Sequence, residues 1–322
     1  VMVALPTTIS PTVAAIDAAV AANEHRDFDL VIRASSIGHP CERHLWYRFR
    51  WAHPGEQFDG RKLRLFETGN VEEDRLVAYL RLAGIEVTAV DDATGEQIEV
   101  MALDGHFAGH LDGEAVGIVE APVVKHLLEC KTHNARSFAQ LLRHGVAIAK
   151  PEHVAQMQVY MGLRGLTRAF YLAKNKDTDE LYAERIKFDP AKFMALMAKA
   201  ERIRDANAAP ARINDDPNYY LCSAFKCPSF DICHAGAFAL RNCRTCLHSA
   251  VGSAGAWHCA RHDRVLSVED QKQGCPNHLY LPSLVPGDQT DADEAAETVS
   301  YVIGGGAVWV DGGDRHGQGR AI

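Results

Sequence analysis

Read as a pattern of apolar and polar positions, the chain opens with an Ala-rich stretch from Val13 to Ala22 and then alternates helical and extended periods. The segment Ser35-Ser36-Ile37-Gly38-His39-Pro40-Cys41, running into Leu45, Trp46 and Phe49, predicts a helix capped by Ser35 or Ser36 with its apolar residues on one side. A second helix is expected over 65–83, closed by Gly84. Short runs bounded by Gly or Asp follow, and IEVTAV, EQIEVMA, HFAGHLDG, EAVGIVE and HLLECKT read as strands. Helical periods return at 134–144 and 151–164. A strand pair, AFYLA and LYAERIKF, flanks the turn-like NKDTDE, and a long helix covers 190–208. This order predicts an α/β fold around a central sheet, without internal repeats.

The pattern changes near Pro210. Beyond it apolar periodicity gives way to short elements, Cys, His and Gly, so this part calls for metal to hold its shape. The last forty residues are acidic and Gly-rich, with one hairpin suggested by VSYVIGGGAVWVDGG.

Composition sets broad limits. With 322 residues, 47% hydrophobic and 24% charged, the chain is ordinarily globular and long enough for a substantial core. No apolar run approaches the roughly 18 residues needed to span a bilayer. The start of the sequence has no basic region and is broken by Pro6 and Pro11, so it does not read as a secretory signal; a soluble, cytoplasmic protein is expected. The net charge of −8 is unevenly spread. Asp288, Asp291, Asp293, Glu294, Glu297, Asp311 and Asp314 concentrate acid near the end, against Arg315 and Arg320. Arg33, Arg43, Arg48, Arg50, Arg61, Lys62 and Arg64 form a basic segment, readable as a phosphate-binding face or as a solvated helix face.

Nine cysteines change the picture more than charge does, because seven of them fall within 222–275. Without a secretory context such clustering points to metal rather than disulfides. Cys222, Cys227 and Cys233, joined by the distant Cys41, could supply four thiolates to a 4Fe–4S cluster or to zinc. Cys243-Arg244-Thr245-Cys246 is a knuckle with a two-residue spacer, and Cys259 and Cys275 complete a four-thiolate zinc site, with His248, His262 and His278 as alternative ligands. This second set would fold a small module that shapes only the C-terminal part.

The chemistry-bearing strand is His126-Leu127-Leu128-Glu129-Cys130-Lys131-Thr132. Strand alternation puts Glu129 and Lys131 on one face and Cys130 on the other. Asp112, at the end of an earlier strand, could join Glu129 as a hard oxygen ligand to Mg²⁺ or Mn²⁺, with the Cys130 carbonyl and water completing the shell. Lys131 would orient or deprotonate the attacking water. Glu-X-Lys alone occurs by chance, and its bland reading is a surface ion pair. Its companions give it weight: Glu73 lies four residues after Gly69, and Gln156 and Tyr160 lie four apart and share a helix face, while Gln158 faces elsewhere.

The series Gly69…Glu73, Gly109…Asp112, Glu129-Cys130-Lys131 and Gln156…Tyr160 resembles the motif series of RecB-like PD-(D/E)XK nucleases, a family that includes phage and CRISPR-adaptation exonucleases. The resemblance covers roughly residues 35–235, with Glu73 standing where many members carry His. It implies a restriction-endonuclease-like core, a central mixed sheet flanked by helices, followed by a small Cys-rich metal-binding element. On this reading 1–34 is a lead-in, 35–235 the nuclease core with its cysteine staple, 236–285 a zinc-binding module and 286–322 an acidic Gly-rich tail. The family implies metal-dependent phosphodiester hydrolysis, with Asp112 and Glu129 as metal ligands and Lys131 as base or electrostatic stabiliser. Glu73 would be an auxiliary ligand, and Gln156 and Tyr160 would orient DNA or water. Cys41 before Leu45-Trp46-Tyr47 matches the first cysteine of the iron–sulfur-stapled members, although the gap between Cys222 and Cys227 is wider than theirs and leaves room for zinc. The expected activity is a DNA exonuclease of phage or prophage recombination, acting on DNA ends or single strands beside an annealing protein or helicase. A structure-selective endonuclease, or a non-catalytic DNA-binding protein with a degenerate site, is the alternative.

Overall fold

The computed structural model describes residues 10–24, 28–55 and 57–312; the first residues of the lead-in and the end of the tail lie outside them. Helix α1 (Pro11–Ala22) lies against α3 (Gly60–Leu82), where Arg64 Nη1 meets Asp17 Oδ1 at 2.5 Å. Between them run strand β1 (Ile32–Arg33) and helix α2 (Glu42–Phe49). Helix α2 starts well after the predicted serine caps. Pro40 biases the residue before it away from helical geometry, and the cap is Cys41, whose Sγ accepts from the His44 N–H at 3.4 Å. Ser36 Oγ instead donates to the Arg33 carbonyl. Helix α3 begins earlier than predicted because the Asp59 side chain accepts from the Lys62 N–H at 2.7 Å. It ends before Gly84, which takes a φ of +81° that other residues rarely adopt.

Strands β2 (Glu86–Thr88), β3 (Glu99–Ala102), β4 (Phe107–His110), β5 (Gly113–Val116) and β6 (His126–His133) follow. Helices α4 (Ala135–Ala149) and α5 (Pro151–Arg164) then lead to β7 (Arg168–Asn175), β8 (Leu181–Lys187) and α6 (Pro190–Asp205). The predicted strands divide between two sheets. The main sheet is mixed, in the order β2-β5-β6-β7-β8, with β6 and β7 parallel and the other pairs antiparallel. A separate sheet has the order β1-β4-β3. Parallel pairing demands a long crossover, here α4 and α5, and this delivers α5 onto one face of the sheet. Both central strands are covered on both faces, so they read as nearly continuous apolar runs. Leu128, Cys130, Phe170 and Leu172 pack with Leu76, Val77 and Leu80 of α3. Leu127, Ala169, Tyr171 and Ala173 face the larger apolar cluster with Val154 and Met157 of α5. The architecture is α/β, as the element order predicts. Among the described residues no helix is long and apolar enough to cross a membrane.

The C-terminal part holds α7 (Phe230–His234), the sheet β9 (Ser249–Val251), β10 (Trp257–Cys259) and β11 (Arg264–Leu266), helix α8 (Val268–Gln273), and the sheet β12 (Gly287–Asp293), β13 (Thr298–Ile303) and β14 (Ala307–Gly312). The acidic stretch is thus not a bare tail over 287–312. The predicted hairpin is β13–β14, and β12 is an additional edge strand, exposed along its length and carrying Asp288, Asp291 and Asp293. Charge on an edge strand discourages pairing with another chain, and it also hides the apolar alternation by which a strand is recognised.

Nor does the cysteine-rich part pack apart from the core. Cys243, Trp257, Cys259, Tyr280 and Trp309 belong to the same apolar cluster as Trp46 and Phe49. Arg244, inside the knuckle, is 1% exposed and lies 3.8 Å over the Trp51 ring and 4.8 Å over that of Trp257. Its guanidinium donates to Phe49 O at 2.9 Å, Leu30 O at 3.1 Å and Gln271 Oε1 at 2.8 Å. Burial, with Arg50 nearby, lowers its pKa to about 8. The basic segment is similarly drawn inward. Arg50 is buried and donates to Ala206 O and Arg244 O, Arg43 donates to Pro210 O, and Arg33 and Arg48 share Asp29. These four arginines therefore spend their donors on the protein itself rather than on an open basic face. Replacing Arg244 by Ala should therefore lower unfolding free energy on the order of 3 kcal/mol, since three acceptors lose their donor inside the core. Urea denaturation followed by tryptophan fluorescence measures this, and a midpoint equal to wild type would mean that the knuckle is not tied to the core.

Candidate active site

The site is assembled at the middle of β6. Alternation brings Glu129 and Lys131 to the same face, with Lys131 Nζ 2.5 Å from Glu129 Oε1. Cys130 points to the other face, into the cluster under α3. Asp112 occupies the bend between β4 and β5 rather than the end of a strand. Its Oδ2 accepts the Cys130 N–H at 2.7 Å and lies 3.6 Å from Lys131 Nζ. Lys131 also donates to the Cys130 carbonyl at 3.1 Å. One ammonium is therefore held by two carboxylates and a backbone oxygen.

Helix α5 covers this face. Gln156 Nε2 donates to Glu129 Oε2 at 3.3 Å, and the Tyr160 hydroxyl is hydrogen-bonded to Gln156 one turn on. Gly109 admits Tyr160: a Cβ there would lie 2.6 Å from the Tyr160 hydroxyl and 2.8 Å from Ala34 Cβ. No comparable crowding surrounds Gly69, whose added Cβ would meet open space. Gln158 does face elsewhere, donating to Lys187 O and accepting the Asp189 N–H. Glu73 reaches the site from α3, and Gln97 Nε2 approaches its Oε1 at 3.5 Å.

The balance of charge is uneven. Two carboxylates, Asp112 and Glu129, pair with one ammonium, and Glu73 is near enough to feel both Asp112 and Lys131 electrostatically. Burial, with the neighbouring carboxylates acting in the same direction, pushes Glu73 and Glu129 up to about 7. At Lys131 burial acts to lower the pKa, but Glu129 and Asp112 outweigh it and hold the pKa above the ordinary lysine value. Burial raises Tyr160 and Cys130 as well. Glu129 Oε1 is fully buried and, despite the short ion pair, accepts no aligned hydrogen bond.

Each cysteine set converges on a small cavity. Cys41, Cys222, Cys227 and Cys233 line one together with His39, His44 and His234. Cys243, Cys246, Cys259 and Cys275 line the other with His248 and His278, whereas His262 is not among its walls. Burial and neighbouring thiols raise the pKa of Cys243 to about 12 and also raise Cys222, Cys227 and Cys246. Among the described residues, no three His, Cys, Asp or Glu groups are already drawn up as a closed ligand set. At the carboxylates the reason is visible, since Lys131 stands between Asp112 and Glu129.

Residues outside the sequence motifs also enter this neighbourhood. His133 Nε2 and His153 Nδ1 lie 2.9 and 3.0 Å from the Tyr171 hydroxyl, and Tyr171 is the register partner of Glu129. The alternation that selects Glu129 and Lys131 also selects His133. His153 precedes Gln156 by three residues on the same helix face.

No sequence-family profile matches the chain, and no curated protein matches it. Among solved structures it is similar to an alkaline exonuclease, LHK-Exo, from Laribacter hongkongensis, at 16% identity over 59% of this chain and 90% of that one, with a TM-score of 0.37. For LHK-Exo in complex with dAMP the identity is 16% over 54% and 86%, with a TM-score of 0.40. For the protein SSO0001 it is 13% over 70% and 96%, with a TM-score of 0.39. Likeness at this level carries no argument about chemistry, which rests on the geometry above.

The raised carboxylate at Glu129 has a measurable consequence. Its folded form holds a proton up to about pH 7, whereas the unfolded chain releases it near 4.5. Stability in chelating buffer should fall as pH rises between these values, because the folded state binds the extra proton. Glu129→Gln mimics the protonated form and should flatten that fall by about one proton. Denaturant titrations across the window check this, and coincident slopes for the two proteins would contradict the shift.

Proposed function

We propose that this chain is a divalent-metal-dependent DNA nuclease of the RecB-like PD-(D/E)XK type, an exonuclease of phage or prophage recombination. The observation that carries the reading is the meeting of Asp112, Glu129, Lys131 and Gln156 at one point of β6, with Glu73 adding a third carboxylate to a single cation. The donor set suits a hard cation, since carboxylate oxygens predominate and Glu129 Oε1 is a buried acceptor without an aligned donor. Asp112, Glu129 and Glu73 would hold Mg²⁺ or Mn²⁺, and the Cys130 carbonyl keeps a second lone pair beyond the one that Lys131 uses. Such a metal, when bound, supplies Lewis-acid polarisation of the phosphate and a more acidic water. Lys131 carries its proton and stabilises negative charge on the phosphate. Gln156 fixes the rotamer of Glu129, and Tyr160 fixes Gln156.

The cysteines belong to the same proposal as structural groups. Cys41, Cys222, Cys227 and Cys233 would hold a 4Fe–4S cluster, or zinc, tying α2 to the segment after α6. Cys243, Cys246, Cys259 and Cys275 would hold zinc. Four thiols lining one cavity disfavour one another's thiolate forms, and a cation reverses that effect. Protein purified without oxygen should then contain one zinc and absorb broadly near roughly 400 nm. Colourless protein with about two zincs per chain would assign zinc to both sets, and protein with neither metal would reject both.

The activity is tested on end-labelled linear DNA, single- and double-stranded, beside a closed circle. Asp112→Ala and Lys131→Ala should each lower Mg²⁺- or Mn²⁺-dependent cleavage by about 10²–10³-fold, as expected for loss of preorganised charge. Cutting of the circle would make the protein an endonuclease. Equal, metal-independent behaviour of wild type and both variants would leave only a DNA-binding or structural role.

A further inference from the structure

A chain of hydrogen bonds runs from the start of α4 and the end of its crossover to the face of α5 beside Gln156. Lys150 Nζ donates to Ser137 Oγ at 2.6 Å, and Ser137 Oγ lies 3.1 Å from His133 Nδ1. His133 Nε2 is 2.9 Å from the Tyr171 hydroxyl, which lies 3.0 Å from His153 Nδ1. His153 is half-buried, and none of the described contacts occupies its Nε2.

Burial and nearby lysines hold both imidazoles below the usual histidine value, so each is neutral, with one donor and one acceptor. Two polarities could satisfy such a chain. In one, every link donates away from Lys150; in the other, both histidines carry the proton on Nδ1. An ammonium can only donate, and its charge favours lone pairs pointing toward it. Ser137 therefore accepts from Lys150 and donates to His133 Nδ1. His133 Nε2–H donates to Tyr171, Tyr171 donates to His153 Nδ1, and the free end is His153 Nε2–H.

We infer that Lys150, Ser137, His133 and Tyr171 form a directed relay that fixes His153 as the Nε2–H tautomer, making it a donor to a phosphate oxygen of the DNA strand beside the site. The ligand rests on the nuclease reading; the tautomers do not. Phosphate oxygens only accept, and they take half or more of protein–DNA hydrogen bonds. Position 153 shares a helix face with Gln156, which contacts Glu129, so a strand whose scissile phosphate meets Glu129 passes this donor within about one helical turn. The contact is neutral and releases no counterion, which separates it from a lysine contact.

Two measurements test the relay. Imidazole ¹⁵N spectra of the free protein should show His133 and His153 as neutral Nε2–H tautomers, and Nδ1–H at His153 would overturn the assignment. Binding of a short labelled DNA strand in EDTA should weaken about tenfold in His153→Phe, the scale of one lost hydrogen bond to a charged group. The salt slope should not move, while the melting temperature should fall modestly, because the buried Tyr171 hydroxyl loses its acceptor. His153→Gln, whose amide can restore a donor, should stay within about threefold of wild type. Equal losses in the two variants, or none in His153→Phe while Asp112→Ala abolishes cleavage, would reject the relay alone. Wild type that binds no DNA would reject the ligand together with the nuclease reading. If His153→Phe does not fold, Lys150→Met serves instead: it removes the charge that orders the chain and should raise the Nδ1–H population of His153, and an unchanged tautomer would overturn the proposal.

Discussion

The candidate site depends on placing three carboxylates and one ammonium against an apolar strand. Removing such charges from water is costly, and their mutual attraction offsets the cost only where each group is also hydrogen-bonded. Lys131 meets that condition through the Cys130 carbonyl, with Glu129 and Asp112 as ion-pair partners. Asp112 meets it by accepting the Cys130 N–H, which fastens the β4–β5 bend to the central strand. Glu129 meets it partly through Gln156, and that contact requires α5 to lie over this face. The parallel pairing of β6 with β7 forces the crossover that brings α5 there. What remains is a surplus of negative charge, visible in the raised pKa values of Glu73 and Glu129. A site left in this state by its own side chains suits a cationic ligand, and the surplus falls where the sheet, α3 and α5 converge.

A second buried charge decides how the rest of the chain is attached. Arg244 and Arg50 are both almost fully buried, and neither has a carboxylate partner within hydrogen-bond reach among the described contacts. Backbone carbonyls and the faces of Trp46, Trp51, Trp257 and Phe49 take that place. Because Arg244 sits between Cys243 and Cys246, whatever orders the knuckle also orders the carbonyls of Phe49 and Leu30. The same stretch leads through Asp29, which holds Arg33 and Arg48, into β1 and so to β4, the strand before Asp112. The cysteine-rich part and the bend that carries Asp112 are thus joined by a short run of contacts.

How much of this was legible follows from the range of each signal. Element order and the faces of Glu129, Lys131 and Cys130 were readable because strand alternation is local. The Gln156–Tyr160 face was readable because helical spacing is local too. The start of α2 was misplaced because Ser35 and Ser36 offer good caps while Pro40 and Cys41 decide the matter. β12 was missed because an acidic edge strand shows no apolar alternation. The directions of Arg43 and Arg50 were not legible because composition counts charges without direction, and both turn inward to carbonyls far along the chain. Arg244 lay beyond sequence reasoning altogether, since nothing within a knuckle tells whether its arginine faces water or tryptophan.

The neighbourhood of the site is best understood as the crossing of two periods. Along β6 a period of two sets out Leu127, Glu129, Lys131 and His133 on one face, passing from apolar to charged to neutral polar. On β7 the matching position opposite Glu129 is Tyr171. Along α5 a period of three to four sets out His153, Gln156 and Tyr160 over that row. Where the two rows meet, Gln156 touches Glu129 and His153 touches Tyr171. Either period alone names candidates without rank, as Glu-X-Lys does. Their intersection is more selective, because a residue must be placed correctly on both the strand and the crossover helix. It admits His133, Tyr171 and His153, which no motif had singled out, and it leaves out Gln158, which turns away to Lys187 and Asp189. The crossover that parallel pairing requires is therefore what allows two unrelated periodicities to converge on one stretch of β6.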